Sequence, residues 1–210
     1  MNRLTLRLSG MFAVCALLAA GFGFLALLIG SHRIRAFDDA VIGWVQGFES
    51  PGLTRFMIGV SSMGYGLPVT VISIVSMLFL YVVLRHRREL VVFVFAVAGS
   101  GLLNTILKAV FHRERPTIHR LVEEHGYSFP SGHSMGAFSL YGILAYLLWR
   151  HLPGVWSRAV LIIVSVSLIL AIGISRIYLG VHYPSDVLGG YLASGSWLAA
   201  VIGVYQRRRN

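Results

Sequence analysis

The chain has 210 residues, of which 56% are hydrophobic and only 12% charged. Soluble globular domains carry about 25% charged residues, so this composition excludes that class and points to a helical membrane protein. A net charge of +10 suggests nucleic acid at first sight, but the basic residues stand in short clusters between apolar runs, where they orient membrane helices, and not on one face of a soluble core.

The first element is the apolar run 11–30, which holds the single cysteine, Cys15, and so leaves no internal disulfide. It is too long for the apolar core of a signal peptide, about 7–15 residues, and is expected to stay in the membrane. The stretch 37–51, FDDAVIGWVQGFESP, is too polar to cross. Its Phe37, Val41, Trp44, Val45 and Phe48 recur at helical spacing, which predicts an amphipathic segment lying in the interface. A second span over 56–84 is overlong and interrupted by Gly64, Gly66 and Pro68, as for a short interfacial turn before the true span. Four further runs, 90–111, 132–149, 157–175 and 185–205, complete six candidates, each able to cross a core about 30 Å thick. The expectation is an all-α, six-transmembrane-helix bundle with one interfacial segment after the first span, forming a single integral-membrane domain over 1–210. Small-residue patches at 99–101, 189–190 and 194–196 suit close helix packing.

Lysine and arginine counts orient the bundle. With the N-terminus cytoplasmic, ten fall inside and eight outside, and setting aside Lys108, Arg115 and Arg176 as functional leaves five outside. Both termini are therefore expected in the cytoplasm. Three polar stretches then share the outer side.

The first is KAVFHRERP, which places Lys108 near the end of the third span and Arg115 in the loop, held extended by Pro116. The second is FPSGHS, where Pro130 ends the loop, Ser131 can cap the fourth helix, Gly132 admits close approach to the backbone, and His133 stands beside the free N–H groups of the first turn. The third is SRIYLGVHYPSD, with Arg176 closing the fifth span, His182 just before the sixth helix and Asp186 just inside it. A carboxylate four residues along can accept from one ring nitrogen of His182, fix its tautomer and leave the other nitrogen free to attack. Each stretch alone also fits a plain structural role: snorkelling cations, a capped helix, a packed histidine. Together they offer three cations, a helix N-terminus, two histidines and an orienting acid. That set suits phosphoryl transfer, with Lys108, Arg115, Arg176, Ser131 and the Gly132 N–H holding a phosphate, one histidine attacking and the other protonating the leaving oxygen. No metal is expected, since cations neutralise the charge and paired carboxylate clusters are lacking.

These stretches resemble the motifs of the type 2 phosphatidic acid phosphatase superfamily: Lys108, six residues, Arg115-Pro116; then Pro130-Ser131-Gly132-His133; then Ser175-Arg176, five residues, His182, three residues, Asp186. The resemblance implies His182 as nucleophile through a phosphohistidine, Asp186 as its orienting partner, His133 as general acid, and Lys108, Arg115, Ser131, Gly132 and Arg176 as the phosphate site. It implies a lipid phosphate phosphatase of a bacterial cell membrane, acting without cofactor or metal at the outer face. The substrate would be a membrane lipid phosphate such as phosphatidylglycerol phosphate, undecaprenyl diphosphate or phosphatidic acid. The alternatives are a lipid-binding membrane protein or transporter that holds phosphate without cleaving it, and the vanadate-dependent haloperoxidase chemistry of soluble relatives. The loop 117–127, with Glu123 and Glu124, is expected to rim the entrance, its acids either disfavouring heavily charged headgroups or simply solvated.

Overall fold

The computed structural model describes residues 3–83, 85, 87–117 and 119–209. The expected end of the second span at 84, position 118 of the entrance loop and the chain ends 1–2 and 210 lie outside the described residues. Among the described residues all regular structure is helical: α1 (Arg3–Gly30), α2 (Arg35–Gln46), α3 (Pro51–Ser62), α4 (Gly66–Leu78, continued by a π-helical turn over Phe79–Val83), α5 (Arg87–Phe111), α6 (Gly132–Trp149), α7 (Val155–Tyr178) and α8 (Pro184–Arg209).

Among the described residues, five helical stretches are long and apolar enough to cross a membrane: Gly10–Gly30, Gly66–Val83, Arg87–Phe111, Val155–Tyr178 and Pro184–Arg208. The sixth expected span is α6, with 18 residues and about 27 Å of rise, which is not apolar enough to join them. Its place in the bundle explains why. It packs against α5, α7 and α8, burying Met135, Ala137, Leu140, Ile143 and Leu147, so its Gly, Ser and Tyr positions face protein and not lipid. By contrast, only 6% of the spans beginning at Gly10 and Gly66 is buried inside the protein.

The overlong second candidate divides. Residues 56–62 belong to α3, which Ser50 caps by accepting from the Leu53 N–H (3.3 Å) and which opens on Pro51, where a missing N–H costs nothing. The chain turns through Gly64 and enters α4 at Gly66, whose φ of +67° lies in the left-handed region that glycine accepts freely. Gly64 also sits against α7 and α6: a Cβ there would stand 2.5 Å from Ile172 Cγ2 and 3.1 Å from the His133 carbonyl.

Helix α2 is amphipathic as expected, but its apolar residues divide between two surroundings. Val41 and Val45 pack on Ile177, Tyr178 and Leu179 at the end of α7, while Phe37, Trp44 and Phe48 remain exposed. The Tyr178 hydroxyl ties α7 to α3 through Thr54 Oγ1 (2.9 Å) and the Ser50 N–H (3.2 Å). Members of each small-residue patch pack inside the bundle, while Gly101 is exposed: Gly99 lies on Trp197, Gly189 on Phe129, and Ser194 donates to the Met135 carbonyl (3.1 Å). At the end of the bundle that carries the termini, Glu89 of α5 accepts from Arg150 (2.6 Å) and Tyr205 of α8 (2.8 Å).

Candidate active site

Helices alternate in direction, so the end of α5 with its loop, the start of α6 and the α7–α8 corner all reach the end of the bundle opposite the termini. Their side chains meet there. Local sequence sets the α7–α8 corner. Pro184 opens α8, and the Asp186 carboxylate reaches back to accept from the Tyr183 N–H (2.9 Å), half of a capping box with Asp in place of Glu. The same oxygen, Oδ2, lies 3.3 Å from His182 Nδ1. An ionised carboxylate only accepts, so Nδ1 carries the proton and Nε2 keeps its lone pair. That nitrogen faces Arg115 Nη1 at 3.2 Å. His182 and Asp186 are both fully enclosed, at 1% and 0% exposed. Burial, then the cations Arg115, Arg176 and Lys108, holds the His182 pKa well below the ordinary histidine value. The ring is therefore neutral at neutral pH.

Arg115 is buried and held on every side. Its Nε donates to the Gly126 carbonyl (3.0 Å), Nη1 to Val181 (3.0 Å) and Nη2 to His125 (3.2 Å). Arg176 donates from Nη1 to Ser61 Oγ of α3 (2.6 Å), and its buried Nε has no hydrogen-bond partner among the described residues. Lys108 is half-buried at the end of α5. Ser131 caps α6, accepting from the Ser134 N–H (3.4 Å), and its own N–H donates to the Asp186 carbonyl (3.0 Å). Its hydroxyl thus serves the helix first. Gly132 and His133 supply the first-turn N–H groups that a capped helix leaves free. Asn104 of α5 fixes this turn by donating to the Pro130 carbonyl (3.0 Å). The half-buried His133 ring packs on Tyr65 (centroids 5.0 Å apart) and lies within electrostatic reach of Arg176, His182, Lys108 and Arg115.

All eight residues singled out in the sequence therefore gather at one end of the bundle. The structure adds Glu124, whose carboxylate is bound by the Arg176 guanidinium and stands 3.5 Å from Arg115 Nη2. It adds Ser61, the Tyr65 ring, and Arg113, whose Nη1 donates to Asp186 Oδ1 (2.7 Å). The loop order gave no sign that Glu124 turns inward, and Arg113 counts in the sequence only as an outer cation.

A neutral buried imidazole beside two guanidiniums, a lysine and a helix N-terminus is equipped to accept a tetrahedral oxyanion and attack it. A helical membrane bundle with such a site defines a class of membrane-embedded phosphate-handling proteins. The chain belongs to the PAP2 superfamily, whose model matches residues 89–210 and so takes in all three polar stretches. It is 37% identical over 175 residues to phosphatidylglycerophosphatase B of Bacillus subtilis (strain 168), covering 81% of this chain and 84% of that protein. It is 34% identical over 135 residues to the putative undecaprenyl-diphosphatase YbjG of Escherichia coli (strain K12), covering 60% of this chain and 62% of the relative. The crystal structure of the transmembrane PAP2 type phosphatidylglycerolphosphate phosphatase from Bacillus subtilis superposes with a TM-score of 0.80 at 31% identity, over 92% of this chain and 96% of that one.

Proposed function

We propose that this membrane PAP2 lipid phosphatase removes the terminal phosphate of a lipid phosphate, with phosphatidylglycerol phosphate as its preferred substrate, through a phosphohistidine on His182. The observation that carries the reading is the buried, neutral His182, held on Nδ1 by Asp186 and facing a cluster of arginines on Nε2. The names of the relatives similar over most of the chain support the substrate. Undecaprenyl diphosphate and phosphatidic acid rank after it.

Lys108, Arg115, Arg176 and the first-turn N–H groups of α6 bind the phosphoryl oxygens. Nε2 attacks phosphorus, the bond to the lipid oxygen breaks, and His133 gives that oxygen its proton. Asp186 balances the positive charge that forms on the His182 ring. Water then attacks the phosphohistidine, His133 takes its proton, and phosphate leaves. The fixed cations neutralise the charge, so no metal enters a step. The chain works as one integral-membrane domain with both termini in the cytoplasm and the site at the outer face, where headgroup phosphates arrive at the depth of the pocket.

The test is phosphate release by the purified chain and by His182→Ala, in detergent with a chelator, from phosphatidylglycerol phosphate, undecaprenyl diphosphate and phosphatidic acid. Release by the wild type alone, fastest from phosphatidylglycerol phosphate, is expected. Equal release by both proteins rejects the nucleophile, and loss of wild-type activity with chelator rejects the metal-free mechanism.

A further inference from the structure

The Asp186 carboxylate has two oxygens with two separate duties. Oδ2 meets His182 and the Tyr183 N–H, while Oδ1 meets Arg113, at 2.7 Å. The Arg113 fork does not stop there. Its Nη1 also reaches Ser185 Oγ (2.7 Å), its Nη2 donates to Asp38 Oδ2 (2.8 Å), and its plane lies over the Tyr183 ring, 4.1 Å from the centroid. Asp38 is 1% exposed, although it belongs to the amphipathic helix α2. It accepts from the Ser185 N–H (2.9 Å) and Ser185 Oγ (2.6 Å) in the first turn of α8. A continuous chain of charge-assisted bonds thus runs Asp38, Arg113, Asp186, His182.

We propose that Arg113 and Asp38 are positioning residues for phosphoryl transfer, Arg113 by holding the Asp186 carboxylate against His182 and Asp38 by holding and balancing Arg113. The proposal rests on His182 being the nucleophile. Two physical points carry it. A carboxylate bound on both oxygens cannot rotate, so the proton on Nδ1 and the lone pair on Nε2 keep their directions. Charge is the second point. Asp186 alone against Arg113 would form a neutral pair and offer little to a ring that turns positive on attack. With Asp38 the triad carries one net negative charge, which matches the single positive charge that the new N–P bond places on His182. Each buried carboxylate of the triad also has a guanidinium nitrogen against it, and a buried carboxylate without a cation is the costly arrangement in an interior.

Fold support alone would show as lost protein, or as losses independent of Asp186. The test uses the full chain in detergent with phosphatidylglycerol phosphate, comparing wild type, His182→Ala, Arg113→Gln, Arg113→Lys, Asp38→Asn, Asp186→Asn and the Arg113→Gln/Asp186→Asn double variant. Arg113→Gln is expected to lower kcat about 30-fold and Asp38→Asn about 10-fold, the range typical of residues that orient a functional side chain. KM and inhibition by inorganic phosphate should stay within about threefold, since the phosphate cations are untouched. Arg113→Lys should recover part of kcat, because one ammonium cannot serve both carboxylates as the fork does. In the Asp186→Asn background, Arg113→Gln should cost less than about threefold, since residues acting as a unit are not additive. Full kcat in Arg113→Gln, an equal loss in both backgrounds, or a loss that falls on KM and phosphate inhibition overturns the proposal. Should Arg113→Gln not fold, the same cycle with Asp38→Asn decides it. If His182→Ala keeps wild-type turnover, the functional reading fails instead, and the two failures are told apart.

Discussion

At the residue scale the proposed nucleophile, His182, must stay uncharged among cations. The His182 pKa is displaced downward from 6.5, so in the ligand-free protein the neutral ring persists as pH falls through that value. In nitrogen spectra of histidine-labelled protein, the signal missing from His182→Ala should keep neutral Nδ1–H shifts down past pH 6.5, and a midpoint at or above 6.5 would contradict the geometry. The unfolded chain takes up a proton on this ring near 6.5 and the folded chain does not, so stability falls with acidification below 6.5. Glu124 presents the converse case, a carboxylate lying on the cations that a phosphate would need. Neutralising it in Glu124→Gln should tighten inhibition by inorganic phosphate about tenfold, or roughly 1.4 kcal/mol. Unchanged or weaker inhibition would show that Glu124 does not compete for the site.

At the scale of elements, the loop between α5 and α6 is clamped onto the α7–α8 corner by backbone contact. Gly180 has a φ of +71°, and a Cβ there would stand 1.8 Å from the His119 carbonyl oxygen. Leu121 donates from its N–H to the Leu179 carbonyl beside it (3.0 Å). Gly180→Ala would force the loop outward, carrying Glu124 and the carbonyls that hold Arg115. Thermal unfolding in detergent and turnover should both fall, by about 2 kcal/mol or more in stability, since left-handed strain alone costs roughly 1–2 kcal/mol. An unchanged melting temperature would show the clamp to be loose. What could be read in advance follows from the same distinction between near and far. His182 and Asp186, four residues apart at a helix start, and Ser131 with Gly132 at a cap, declare themselves because helix geometry converts their spacing into position. Asp38, Arg113 and Glu124 do not, because their partners lie 75, 73 and 52 residues away and no periodicity links them. The break of the second candidate into α3 and α4 was marked by Gly64, Gly66 and Pro68. Its use, which is to bring Ser61 to Arg176, was not.

At the scale of the whole molecule, charge bears on orientation. Of the eight cations assigned to the outer side, Lys108, Arg113, Arg115 and Arg176 lie in or against the site, which leaves four against ten on the other side. Counted away from the site, the cations therefore favour cytoplasmic termini more strongly than the bare count does. A reporter active only outside the cell should be silent when fused after position 210 and active when inserted at the exposed Arg33 turn, and the reverse pattern would invert the topology. The enclosed position of α6 has a consequence for how the chain is made. This helix brings His133 to the site yet is less apolar than the five candidate spans, and its companions α7 and α8 are synthesised after it. Leaving the translocon is therefore expected to be a joint event for α6, α7 and α8, and the end of the bundle that gathers His133 and His182 should take shape only when the α7–α8 hairpin arrives to shelter the helix before it.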